Sequence, residues 1–470
     1  MPRRDNEKGQ SLGGKRVKQN TVIRNLALVS FMALAVAGCS KEVILEGMRE
    51  EPRSPGYDVS DPAAVAAAAA RDAEALQPAA NRAVPVNLGP AVNVASWTHR
   101  GGNAAHLVSH ATLSAQPQLI WSTKAGAGNS RKARITAEPV SDGSRIYAMG
   151  AEASVTAVSM GGGAVWSTSL VPARERAGAG TGGGLALGDG KLFATTTFGE
   201  LIALDPASGA VLWRQDFDAP VTGAPTVSNG QVYVATANSN GYAVNTATGR
   251  IVWRISGMPT HHGVSGVAAP AAAGNLAIFP LANGSLLGID RGDGSADWAA
   301  RVAGSRPGRG SAVLQDFTGE PVVSGSTVYA ATPAGRAVAV SLGGDILWTA
   351  DEGAQGMMAV AGGAVFFVTD EAKLVRLSAR DGDKIWSVDL PRYTKDKPRR
   401  LKSIFPSYGP VLASGKLWVA SGDGYLRAFN PVDGSMVSIT ELPDGAASRP
   451  ITVGGMLVMM TTRGDLVALR

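Results

Sequence analysis

A single cysteine, Cys39, stands in 470 residues. Internal disulfides are thereby excluded, and so is a metal site built from several thiolates. Familiar catalytic signatures are missing too: there is no GxSxG elbow, no HExxH and no GxxxxGK followed by Ser or Thr. Gly178-Ala179-Gly180-Thr181-Gly182-Gly183 matches the spacing GxGxxG, but the dinucleotide fingerprint follows a strand and opens a helix, and LALGDGKLFATTT from Leu185 reads as strand. Beyond the first 38 residues no apolar stretch is long enough to cross a bilayer as a helix. His99, His106 and His110 lack any metal-ligand spacing and read as polar surface residues.

Glycine is what the chain has in excess, 59 residues, as expected of an all-β protein with a turn every eight to twelve residues or so. Gly190 to Trp213, GKLFATTTFGELIALDPASGAVLW, shows the unit: an apolar run, a turn, a second apolar run, an Asp-x-x-x-Gly turn and a short run ending in Trp. Asp205 can bond its own following backbone, and Gly209 takes positive φ at little cost. The closing residue recurs as Trp166, Trp253, Trp298, Trp348 and Trp386, and in a seventh copy, NPVDGSMV, Val437 takes that place. Self-similarity at this period signals a repeat architecture.

The formal net charge is +6, yet residues 1–38 carry seven basic and two acidic side chains, leaving 37 basic and 36 acidic in the remainder. The basicity therefore belongs to a targeting segment, and nucleic-acid binding is not indicated. Basic residues through Arg24, an apolar run from Leu26 to Ala37, and Val36-Ala37-Gly38-Cys39 have the parts of a signal peptide ending in small residues before a cysteine. This resembles the bacterial lipobox, with Cys39 acylated as the new N-terminus. Ser40 rather than Asp next to it implies the periplasmic leaflet of the outer membrane. Three acyl chains, at about 0.8 kcal/mol per buried methylene, would make the anchor permanent in practice.

The expected organisation is a signal peptide over 1–38 and a tether over 39–90 with a short Ala-rich helix from Asp61-Pro62 to Leu76. A segment laid on the domain follows over 91–116, then the repeats over 117–470. The last copy stops at Arg470 after its third strand, while Pro117-Gln118-Leu119-Ile120-Trp121 supplies an unattached Trp strand before the first complete copy. Pairing of the two closes a ring without an open edge. Trp121, six further Trp positions and Val437 make eight, and the prediction is an all-β, eight-bladed β-propeller with four-stranded antiparallel blades, closed by residues 117–123.

The Asp-x-x-x-Gly-x-x-x-Trp copies resemble the quinoprotein-type (PQQ-like) repeat rather than WD40, since no Gly-His and Trp-Asp pair brackets them. With the lipobox and tether, the whole resembles the BamB family, lipoprotein subunits of the outer-membrane β-barrel assembly machinery. The resemblance implies a non-enzymatic scaffold without cofactor or metal. Its implied partners are the periplasmic POTRA domains of the barrel subunit, BamA, and incoming unfolded barrel chains. In the family one contact loop has apolar residues and an Arg ahead of Ala-Pro. Here it reads His261-His262-Gly263-Val264-Ser265-Gly266-Val267 before Ala268-Ala269-Pro270, with Val264 apolar and Ser265 where the Arg would be. The second is an Asp-x-Asp ahead of Pro-Val-Val. Here it is Asp316-Phe317-Thr318 before Pro321-Val322-Val323, with Thr318 in place of the second Asp.

Two rivals share the fold. Pyrroloquinoline-quinone dehydrogenases resemble one another in a vicinal Cys-Cys disulfide and in carboxylate and amide ligands to Ca²⁺, and this chain has neither a second cysteine nor an evident oxygen-ligand loop. A propeller binding a small ligand in its channel is the other. Between the sixth and seventh copies, PRYTKDKPRRLK from Pro391 to Lys402 concentrates six basic residues, which suits an acidic partner or an anionic leaflet.

Overall fold

A computed structural model of the chain describes residues 61–67, 80–180, 182–257, 268–304, 314–395, 397, 399 and 401–470. The chain divides into two units, 1–78 and 79–470. Of the first, the described part is a short helix over 62–67, capped by Asp61, whose Oδ1 accepts the Ala63 N–H at 2.9 Å. Cys39 and the expected continuation of this helix to Leu76 lie outside the described residues.

The second unit is the propeller, with eight four-stranded antiparallel sheets, each running from an inner strand to an outer one. Blades 1 to 7 span Val140–Ser169, Leu185–Asp216, Thr226–Ser256, Ala271–Arg301, Val322–Ala350, Ala359–Asp389 and Ser407–Glu441. Blade 8 joins Ile451–Leu469 to Leu119–Lys124. Burial explains the pattern within a blade. The third strand of blade 2, Glu200–Leu204, is buried along its whole length because a blade covers each face, while the outer strand, Val211–Asp216, alternates between exposed and half-buried residues. The expected ring closure is present, made by Leu119–Lys124, and it repeats the register of the other blades, with Trp121 opposite Ala468 as Trp213 is opposite Ala203.

Each Trp of an outer strand locks its blade to the next. The indole N–H of Trp121, Trp166, Trp213, Trp253, Trp298, Trp348 and Trp386 donates, at 2.8–3.2 Å, to a carbonyl in the following blade's turn before the outer strand. The glycine of that turn lies flat against the ring. A Cβ at Gly249 would sit 2.8 Å from Trp213, and one at Gly382 2.6 Å from Trp348, and φ is +71° and +79° there. Glycine is needed at these positions both for its backbone and for its missing side chain.

Here one expectation is corrected. The place of Trp in blade 7 belongs to Ser438, not Val437: Ser438 pairs with Ala428 just as Trp213 pairs with Ala203, and Val437 is exposed. The reason is topological. In blade 8 the outer strand comes from the other end of the chain, so no Asp-x-x-x-Gly turn exists there for a Trp to lock.

Loop face, funnel and strap

The chain enters each inner strand from a connection that crosses from the previous blade, so these connections and the second-to-third-strand turns share one face of the ring. The other face carries the remaining turns. Residues 81–116 lie on that turn face as a strap. Arg82 N bonds Ile385 O at 2.9 Å on blade 6 and Val84 N bonds Val432 O at 3.2 Å on blade 7. The strap then runs to the axis. Inner strands are sheet edges with unpaired backbone groups, and the strap satisfies them in turn. Trp97 exchanges two bonds with Ser141 on blade 1, and Leu187 N bonds Thr98 O on blade 2. Ala272 N bonds Ala104 O on blade 4, Val323 N bonds Ala105 O on blade 5, Ala111 N bonds Leu412 O on blade 7, and Gly454 N bonds Val94 O on blade 8.

On blade 3 the partner is a side chain, which overturns the reading of the histidines as surface residues. His99 is 5% exposed and accepts the Val227 N–H on Nε2 at 2.9 Å, and His106 is fully buried with Nδ1 at 2.9 Å from Pro321 O. Both substitute for backbone in capping sheet edges. Burial holds His99 down to about 3, helped by His106, and holds His106 down to about 4, with Arg100 and Arg449 adding to it. His110, more exposed, accepts the Gly415 N–H on Nε2 at 2.8 Å, which leaves Nδ1–H for Gly89 O at 3.0 Å.

Arg100 rises from the strap into the channel. It meets Glu138 at 3.1 Å and Glu320 at 2.9 Å, two carboxylates from blades on opposite sides of the ring. Burial opposes the Arg100 charge, but Glu320 and Glu138 outweigh it and hold the guanidinium above its ordinary range. Above Arg100 a funnel of about 300 Å³ opens toward the loop face, with Glu138, Tyr408 and Arg449 among its walls. Burial pushes Glu138 up, lowers Arg449 and raises Tyr408 to about 12. Sequence reasoning missed this cluster, although a signal was there. Glu138, Glu320 and Arg449 each stand immediately before a proline, at Pro139, Pro321 and Pro450, where the chain is held extended as it enters an inner strand.

The two connections singled out in the sequence lie between blades 3 and 4 and between blades 4 and 5. His262, Gly263, Val264 and Ser265 lie outside the described residues. In the second connection Asp316 is 5% and Phe317 2% exposed, and the half-buried Thr318 donates its hydroxyl to Ala354 O at 3.0 Å. Phe317 belongs to the same apolar cluster as Ala268 and Ala271, so the roots of both connections pack into one patch of core. Gln315, half-buried, holds Arg301 at 3.1 Å. A calcium–quinone pair does not fit this channel, since its buried carboxylates already face Arg100, which supplies the positive charge a cation would bring.

Residues 151–388 and 334–470 match the family model described as outer membrane protein assembly factor BamB. The protein of that name from Salmonella typhimurium is 30% identical over 359 residues, 75% of this chain and 88% of its own. The one from Escherichia coli K12 is 29% identical over 362 residues with the same coverage. Among solved structures, BamB from Moraxella catarrhalis superposes with a TM-score of 0.61 at 17% identity, over 75% of this chain and 99% of its own. Quinohemoprotein alcohol dehydrogenase from Comamonas testosteroni reaches the same TM-score at 15% identity, over 81% of each chain, which shows a shared fold. Model, relatives and architecture agree that the chain belongs to the BamB family of outer membrane protein assembly factors.

Proposed function

We propose that this protein is a non-enzymatic scaffold of outer-membrane β-barrel assembly, held by an acylated Cys39 on the periplasmic side of the outer membrane. Its loop face docks on the POTRA domains of a BamA-type barrel subunit through His262, Gly263, Val264 and Ser265 and through the connection holding Asp316, Phe317 and Thr318. One observation carries the reading: the two connections, which belong to the loop face, are both rooted through Ala268 and Phe317 in the one apolar core shared by blades 4 and 5. A surface held by a rigid core loses little entropy on docking. Because Asp316 and Phe317 are buried, they would set the shape of this surface, leaving Val264, Ser265 and the half-buried Gln315 and Thr318 to make contact.

The test is a mild-detergent pull-down of the lipidated protein from its native membranes. The barrel subunit should co-purify, and Val264→Asp should lose it while leaving the melting temperature unchanged. Asp316→Asn should weaken capture with some loss of stability. Failure of the barrel subunit to appear with the unaltered protein would overturn the reading.

A further inference from the structure

The funnel is lined by two charged groups whose hydrogen-bonding capacity is only partly used. Arg449 and Glu138 both line it, and each is 4% exposed. Arg449 Nη2 donates to Pro410 O at 2.6 Å, while its Nε and Nη1 meet no partner among the described residues. Glu138 gives Oε1 to Arg100 Nε at 3.1 Å, and its Oε2 meets none. Buried polar groups are rarely left in this condition, least of all charged ones.

The unmet groups have opposite sign, and that narrows what could satisfy them. A bare anion would answer Arg449 and leave Glu138 without a donor; a bare cation would do the reverse. The four charges that meet here are two of each sign, Arg100 and Arg449 against Glu138 and Glu320, so a guest with net charge would unbalance them. The cavity, about 300 Å³, sits at the lower end of the roughly 300–1,000 Å³ typical of small-molecule sites. It opens toward the loop face and has a floor in Arg100. Tyr408 on its wall keeps its proton at neutral pH and offers a further donor.

We propose that the funnel binds a small zwitterion, a free α-amino acid or a molecule with the same amine-and-carboxylate head, its carboxylate on the Arg449 guanidinium and its ammonium on Glu138 Oε2. This goes beyond the scaffold role and does not depend on it.

The test is calorimetric titration of the purified full chain at pH 7 with glycine and alanine, and separately with acetate and methylammonium at equal ionic strength. The amino acids should bind saturably and raise the melting temperature, and the two half-ligands should do neither. Arg449→Lys keeps the charge but not the fork, and should weaken binding about tenfold or more. Glu138→Gln should weaken it as well; should that variant not fold, the ligand series and Arg449→Lys still decide. Absence of saturable binding by any amino acid overturns the proposal. So does acetate binding as tightly as glycine, undiminished binding to Arg449→Lys, or a crystal grown with glycine that shows only water in the funnel.

Discussion

The two faces of the ring are built on opposite terms. On the turn face seven of the eight seams are locked by an indole on the glycine turn of the next blade, and the strap takes up free edge groups of inner strands around the axis. The loop face has long connections, a funnel and charges held without full hydrogen bonding. Stability concentrates on the first face and leaves the second free to vary, and a scaffold needs that division because a docking surface must change without unfolding the ring.

The sharpest way to break this contrast is Arg100→Met. It leaves Glu138 and Glu320 buried without their cation, and should cost about 3–5 kcal/mol in denaturant titration. Nearly as large should be Trp386→Ala, which empties a fully buried site and removes the bond to Pro431 O, at about 3–5 kcal/mol. Ser438→Ala at the same position of the next blade should change stability by no more than about 0.5 kcal/mol, since Ser438 locks nothing. Equal costs at the two positions would refute the assignment of Ser438 to the Trp register.

The strap adds a pH signature. Folded His99 and His106 stay neutral down to about 3 and about 4. The unfolded chain takes up those protons near its ordinary value of about 6.5. Stability is therefore full above pH ~6.5 and falls as pH drops toward ~4, by up to roughly 1.4 kcal/mol per pH unit for each histidine. Replacing both with Gln should flatten this slope in a series of melts from pH 7 to pH 4.

The smallest structural effect belongs to the loop face. Arg399→Gln with Lys402→Gln, in the exposed basic connection between blades 6 and 7, should leave stability within about 0.5 kcal/mol. It should weaken association with an acidic partner or an anionic leaflet at low salt, read by flotation or co-purification. Unchanged association would remove the basic connection from the docking surface.

The ring was legible in the sequence because its determinants are local. An Asp or Asn opens the turn in four blades and a Ser in three, a glycine three or four residues on takes positive φ in all seven, and in six of them a Trp stands four residues further, so the period displays itself along the chain. Closure was legible because the last copy lacks the strand that Leu119 to Lys124 supplies. Ser438 could have been found by counting four residues on from Gly434, the offset at which Trp stands in the other copies. The histidines could not. Polar side chains in a Gly-rich segment have the composition of a surface, and only the meeting of that segment with inner strands more than a hundred residues away makes His99 and His106 part of the core. Glu138, Glu320 and Arg449 announce themselves only as charges before prolines, and what they face depends on eight blades converging. Repeat, register and blade number were thus determined by the sequence alone, through contacts between near neighbours. The plugged axis, the buried charges and the funnel were decided by tertiary structure, because each depends on ring closure bringing distant edges to one axis.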